Sequence, residues 1–228
     1  MSDPAPLRLL VFDVDGTLVD SQAHIMAAME VAFGAFDRPP PPRAEVLSIV
    51  GLSLPEAMAR LVPGIAAAER DALVEAYKNS FATVRANGES TLSPLYPGAR
   101  TILDGLLSRD DILVGVATGK SRRGLDHVLR AHGLNGAFVT EQVADGHPSK
   151  PHPSMLYAAL SETGAEAGDA IMVGDTTFDI EMGRAAGFAT IGVSWGYHPT
   201  ETLHDAGADC VIDTWADLPA TVARIWGI

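Results

Sequence analysis

The stretch VFDVDGTLVDS, residues 11–21, places three aspartates within ten residues, directly behind an apolar run. Leu7, Leu9, Leu10, Val11 and Phe12 read as a buried strand. Acidic groups crowded at the end of such a strand repel one another unless something there uses the charge. Asp13 and Asp15 are therefore candidate site residues. A lone Asp-x-Asp pair also suits a turn or a helix cap, so the rest of the chain has to decide.

Similar β-branched runs stand at residues 112–118 (ILVGVAT), 170–175 (AIMVGD) and 189–195 (ATIGVSW). A shorter one lies at 210–213 (CVID) and a weak one at 137–140 (AFVT). None alternates cleanly, which suits strands covered on both faces. Helical patterns separate them. Ile102, Leu103, Leu106 and Leu107 form one stripe, and a second helix starts behind Ser121 and stops at Gly133. SMLYAAL and FDIEMGRAAG supply two more. The alternation predicts an α/β fold, a Rossmann-like parallel sheet core with helices on both faces. Ligands then belong at the carboxyl ends of the strands.

Residues 22–92 break this pattern. Leu73, Tyr77, Phe81 and Val84 recur at helical spacing, and LPEAMARLV is amphipathic. The expected organisation is a catalytic core of residues 1–20 and 93–228 with an inserted small α-helical cap domain, residues 21–92. Hinges are expected at residues 19–22 and 92–98, with the four prolines at 39–42 a rigid turn inside the cap.

The 228 residues carry a formal net charge of −13, and 47% are hydrophobic. Such a chain lacks the basic face of a nucleic-acid binder and does not suit an anionic membrane surface. An anionic substrate must be captured by local groups or a metal ion. One cysteine, Cys210, excludes an intrachain disulfide and a thiolate zinc site. With no signal-peptide pattern and no membrane-length apolar run, a cytoplasmic location is expected.

Four short stretches each follow a predicted strand. They are Asp13-Val14-Asp15-Gly16-Thr17, Thr118-Gly119-Lys120, Lys150-Pro151, and VGDTTFDIEMGRAAG at residues 173–187. In this order they resemble the haloacid dehalogenase-like superfamily, specifically its phosphatases with a small helical cap, typified by phosphoglycolate phosphatase. The resemblance covers nearly the whole chain. It implies a Mg²⁺-dependent phosphatase that hydrolyses a small phosphorylated metabolite through an aspartyl-phosphate. Asp13 is then the nucleophile and Asp15 the general acid/base. Gly16, Thr118 and Gly119 hold phosphoryl oxygens, Lys150 neutralises nucleophile and phosphate, and Pro151 fixes its approach. The resemblance implies Mg²⁺ on the Asp13 side chain, the Asp15 carbonyl and Asp175, with Asp179 orienting Lys150 or a metal-bound water.

The same scaffold hosts phosphosugar mutases resembling beta-phosphoglucomutase, which the motifs do not separate from phosphatases. Pyrophosphate hydrolysis and a non-catalytic binding protein are further readings. Asp15 disfavours carbon–halogen cleavage, and Lys78 matches no phosphonate-hydrolase motif. Gly115 and Gly119 have three residues between them where a P-loop needs four, which argues against a kinase. Lys120, Arg122 and Arg123 read either as an exposed helix start or as anion-capturing cations. His147 and His152 read as loop residues, Asp20 as a turn or hinge, and Trp195, Trp215 and Trp226 as packing. Met26, Met29 and Met58 are cap packing or line an entrance. GLSL, residues 51–54, is a specificity loop or a plain turn. The oligomeric state is not legible.

Overall fold

A computed structural model describes residues 6–86 and 93–228, with the side chains of residues 81–86 outside that description. β1 (Arg8–Phe12) is followed by four helices, α1 (Gln22–Gly34), α2 (Arg43–Ser48), α3 (Leu54–Leu61) and α4 (Ala67–Ala86). The chain continues through α5 (Ala99–Leu107), β2 (Ile112–Thr118), α6 (Arg122–Ala131), β3 (Thr140–Val143) and α7 (Ser154–Thr163). It ends with β4 (Ala170–Gly174), α8 (Thr177–Ala186), β5 (Ala189–Val193), α9 (Thr200–Asp205), β6 (Cys210–Ile212) and α10 (Leu218–Trp226). The six strands form one parallel sheet in the order β3-β2-β1-β4-β5-β6. This is the predicted α/β architecture. Among the described residues no helix is long and apolar enough to cross a membrane.

β1 is central, and its apolar run divides between two cores. Leu10 and Phe12 pack with α5, α6, α10 and Trp215, whereas Leu9 and Val11 pack with α7 and α8. Covering both faces removes the need for alternation. Phe12 is level with Val116 of β2 and Val173 of β4. Three strands therefore stop together, and sequential β1 and β2 lie on one side of the opening while β4 lies on the other. Such a switch point leaves a crevice at the carboxyl ends.

Two strand boundaries differ from the sequence reading. Leu7 is exposed and the first strand starts at Arg8. Residues 137–139 lie outside any strand, although Val139 N already donates to Val114 O of β2 at 2.9 Å, and β3 is Thr140–Val143. Phe138 still packs into the core, but as part of the approach to the strand. β3 is an edge strand and carries polar residues, because Thr140 and Gln142 bond the Glu162 carboxylate at 2.6 and 2.8 Å. An apolar run therefore misplaces it by three residues, 137–140 instead of 140–143.

The helices between β1 and α5 have a hydrophobic cluster of their own, built on Ile25, Met29, Phe33, Met58, Leu73 and Tyr77. Phe81 and Val84 fall outside the described side chains, and Leu92, the start of the outgoing hinge, outside the described residues. The chain enters and leaves through a short antiparallel ladder. Tyr96 N donates to Leu18 O at 3.0 Å and Asp20 N to Pro94 O at 2.8 Å, with Val19 facing Leu95. Asp20 also accepts the Gln22 N–H at 3.2 Å, so it is a turn residue.

Two glycines of α8 have separate uses. Gly187 ends the helix at φ +80°. A Cβ on Gly183 would lie 2.6 Å from Thr190 Cγ2 and 3.1 Å from Met172 Cβ, so this glycine sets how closely α8 meets the sheet. Gly183→Ala is expected to lower unfolding free energy by about 1–3 kcal/mol. Gly105→Ala, on the exposed side of α5 where an added Cβ meets nothing within 4 Å, should raise it by about 0.5–1 kcal/mol. Urea titration of both variants checks the opposite signs.

Candidate active site

The site forms where β1, β2 and β4 stop. Asp13 directly follows β1, and its N–H donates to Val173 O at 2.9 Å, which ties it to β4. The turn beyond doubles back, with Leu18 N and Val19 N both donating to Val14 O at 2.9 and 3.0 Å. Gly16 adopts φ +86°, and a Cβ there would sit 2.1 Å from Asp175 Oδ2. Only glycine lets this turn lie against the Asp175 carboxylate.

Asp13 is fully buried. Its Oδ1 accepts from Lys150 Nζ at 2.6 Å, while Oδ2 is buried with no hydrogen-bond partner among the described residues. Burial is the main reason its carboxyl is raised to about 7; Lys150 opposes this, and the Asp179 charge adds to it. Lys150 also donates to Asp179 Oδ1 at 2.6 Å. Burial alone would lower its ammonium, yet Asp13 and Asp179 hold it above the ordinary lysine range.

Asp179 is fixed from its other oxygen, which accepts from Thr176 N at 3.1 Å and Thr176 Oγ1 at 2.7 Å. Thr176 is the N-cap of α8 and the pair forms a capping box. A Cβ on Gly174 would lie 2.3 Å from Asp179 Cβ, so β4 must end in glycine for this arrangement. Asp175 accepts from Thr17 Oγ1 at 2.9 Å and from Tyr197 N at 2.9 Å. Burial first, then the charges of Asp13 and Asp179, push its carboxyl well above the usual range.

One oxygen each of Asp13, Asp175 and Asp179 lies within 4.8 Å of the others. Asp15 turns its side chain elsewhere, pairing with Lys120 Nζ at 2.8 Å and accepting from the Ser21 hydroxyl. Four carboxylates thus surround two ammonium groups. The donors are all hard oxygens, and one, Asp13 Oδ2, is buried with no partner among the described residues. That set fits a small divalent cation such as Mg²⁺.

Thr118 is buried at the end of β2, with Oγ1 accepting from Lys120 N at 3.2 Å. It does not cap α6; Ser121 does, accepting from Gly124 N at 3.3 Å. Gly119 is pressed by the helical segment, since a Cβ there would meet Gly51 O at 2.5 Å and Leu52 O at 2.6 Å. GLSL is therefore a contact loop at the site as well as a turn. The basic cluster divides three ways. Lys120 is nearly buried on Asp15, Arg122 pairs with Glu141 at 2.5 Å, and Arg123 reaches Lys78 O at 3.3 Å. His147 lies between Ser154 and Gln142, and His152 accepts from Ser154 N, so both are loop residues.

Several neighbours were not picked out from the sequence. The Tyr197 hydroxyl accepts the Ser21 N–H at 3.0 Å, and Gly196 passes so close to Asp175 that a Cβ would clash at 2.1 Å. Both follow β5, where the strand-end rule points. His198 joins the two parts of the chain, with Nδ1 accepting from Thr177 N and Nε2 facing Ser48 O, both at 3.2 Å. Ser53 N donates to Ser149 Oγ at 2.9 Å in the same seam. Between Asp13, Asp15 and Thr118 below and the helices above lies a cavity of about 120 Å³.

The profile of the family described as haloacid dehalogenase-like hydrolase matches residues 10–193. A protein of Dickeya dadantii named "Probable phosphatase IndB" is 34% identical over 216 residues, covering 92% of this chain and 91% of the relative. A phosphoglycolate phosphatase of Haemophilus influenzae is 31% identical over 217 residues, covering 92% and 96%. The crystal structure of a hydrolase from Pseudomonas syringae, 23% identical, superposes with a TM-score of 0.84 over 96% of this chain and 99% of that one, a likeness of fold. With the site geometry and the match over most of its length in agreement, the chain belongs to the haloacid dehalogenase-like hydrolases.

Proposed function

We propose that the protein is a Mg²⁺-dependent phosphatase of a small phosphomonoester, with residues 21–92 acting as a cap over a core of residues 1–20 and 93–228. The observation that carries this is the Asp13 carboxylate, held by Lys150 on one oxygen and buried without a partner on the other, at the floor of the cavity. The names of the relatives, phosphatases in both cases, point the same way.

In this reading the Asp13 carboxylate attacks phosphorus and the bond to the leaving oxygen breaks. Asp15, also at the cavity, gives that oxygen its proton. Water then attacks the aspartyl-phosphate, Asp15 takes the proton from the water, and the bond between Asp13 and phosphorus breaks to release phosphate. Thr118, Gly119 and the turn at Gly16 receive phosphoryl oxygens, and Lys150 keeps Asp13 anionic as it attacks. Asp13, Asp175 and the Asp15 carbonyl would hold Mg²⁺, which when bound offsets charge on the phosphoryl oxygens. Asp179, saturated by Lys150 and Thr176, is a positioning residue.

Phosphate release from a panel of monoesters with Mg²⁺ tests the reading. Asp13→Asn is expected to abolish release, and Asp15→Asn to slow it by about 10²–10⁴-fold. Unchanged activity in Asp13→Asn would sink the nucleophile assignment. Mg²⁺ should raise the melting temperature of the wild type and do so less in Asp175→Asn. Lys150→Met leaves two buried carboxylates without their counter-ion and should cost about 3–5 kcal/mol in urea denaturation.

A further inference from the structure

The Asp15 side chain is held at one oxygen. The Ser21 hydroxyl and Lys120 Nζ, the latter at 2.8 Å, both approach Oδ1. A carboxyl group that accepts two donors on Oδ1 carries its acid proton on Oδ2. Asp15 lines the cavity. How this acid presents its proton there depends on what holds Ser21.

Ser21 is fully buried at the N-cap position of α1. A serine in that place ordinarily accepts from the first turn of its helix. This one makes no such bond and turns its hydroxyl to Asp15. Tyr197 keeps it there. The Tyr197 hydroxyl accepts the Ser21 N–H at 3.0 Å and lies 3.2 Å from Ser21 Oγ. Ser21 gives its only hydroxyl proton to Asp15, so a bond between the two hydroxyls runs from Tyr197 to Ser21. Burial first, then the Asp15 charge, keep the tyrosine protonated. Donors arranged in series, Tyr197 to Ser21 to Asp15, polarise one another.

The rest of Tyr197 has other uses. Its N–H donates to Asp175 Oδ2 at 2.9 Å, and its ring packs against the hydrophobic cluster of the inserted helices. Tyr96, on the outgoing strand of the insertion, lies beside the same hydroxyl. We infer that the Tyr197 hydroxyl is a positioning group for the general acid, acting through Ser21 to hold Asp15 with its acid proton on Oδ2. This rests on the phosphatase reading and extends it to a residue outside the four strand-end stretches. Tyr197 itself transfers no proton. In the step it supports, the Oδ2 proton passes to the ester oxygen as the bond from that oxygen to phosphorus breaks, and Asp15 is left as the carboxylate.

The test compares Tyr197→Phe with the wild type at fixed Mg²⁺ on two kinds of substrate. One is the fastest alkyl ester of the monoester panel, whose alkoxide needs a proton as it leaves. The other is acetyl phosphate, whose acetate is a weak base and leaves as the anion. The substitution keeps the ring and the N–H to Asp175. Reading kcat/KM confines the comparison to the steps through departure of the leaving group. The expected result is a loss of about 10–10²-fold on the alkyl ester and little change on acetyl phosphate. Equal losses on both substrates, or no loss on either, overturn the inference and leave the phosphatase reading standing. A wild type that releases phosphate from no alkyl ester overturns both. In an Asp15→Asn background, Tyr197→Phe should cost nothing further on the alkyl ester, because its effect passes through Asp15. A full additional loss in that background also overturns the inference. Ser21→Ala should show the same selective loss, which keeps the test decisive should Tyr197→Phe fail to fold.

Discussion

A buried ammonium between two buried carboxylates organises this molecule. Lys150 Nζ lies 2.6 Å from both Asp13 and Asp179, and all three groups are shut off from solvent. Such an arrangement survives only where every charge has its partner and the remaining lone pairs are satisfied. Asp179 satisfies the condition through Thr176, and that bond also begins α8. Asp175 satisfies it through Thr17 and the Tyr197 backbone. Of these three carboxylates, Asp13 is the one with an oxygen that has no hydrogen-bond partner among the described residues. The glycines at 16, 174 and 196 exist to let backbone approach these carboxylates. The pleated core supplies the strand ends, and the charge cluster dictates which residues can occupy them.

The helical segment is joined to this cluster at several points. Gly51 and Leu52 carbonyls press on Gly119, Ser53 bonds Ser149, and His198 spans from Thr177 to Ser48. The His198 ring stands edge-on to Phe178, and Arg60 covers the Phe178 face. Burial lowers the His198 imidazole below its usual range. Its neutral form is the one this seam uses, since Nδ1 must accept from Thr177 N. Ser53 N and Ser48 O show that the helical segment meets the rest of the chain partly through its own backbone groups, which fix orientation.

Much of the fold was legible because β1 is buried on both faces and its neighbours share its composition. The candidate site was legible as four polar stretches behind predicted strands, and the structure brings Asp13, Lys150, Asp175 and Asp179 together. The failures have physical causes. β3 is polar because it is an edge strand satisfied by Glu162, so an apolar search passes over it. Lys120 read either as part of an exposed helix start or as an anion-capturing cation; it is nearly buried and paired with Asp15, a contact 105 residues away in sequence that no local pattern announces. Tyr197 acts partly through a backbone N–H, which every residue but proline carries and no side-chain pattern announces. Ser21 sits in the opening stretch at the N-cap position of α1, yet gives its hydroxyl to Asp15 and caps nothing.

Phe178 belongs to α8 but packs in the hydrophobic cluster of the inserted helices. It directly precedes Asp179, whose carboxylate steadies Lys150. The covalent seams of the insertion are thus not its true borders. A chimera that exchanged residues 21–92 for the corresponding helices of a relative would inherit an aromatic plug shaped for a different socket, one residue from the charge cluster. Recombination in this scaffold has to move position 178 along with the insertion, because the packing of the helices and the charge cluster share that one helical turn.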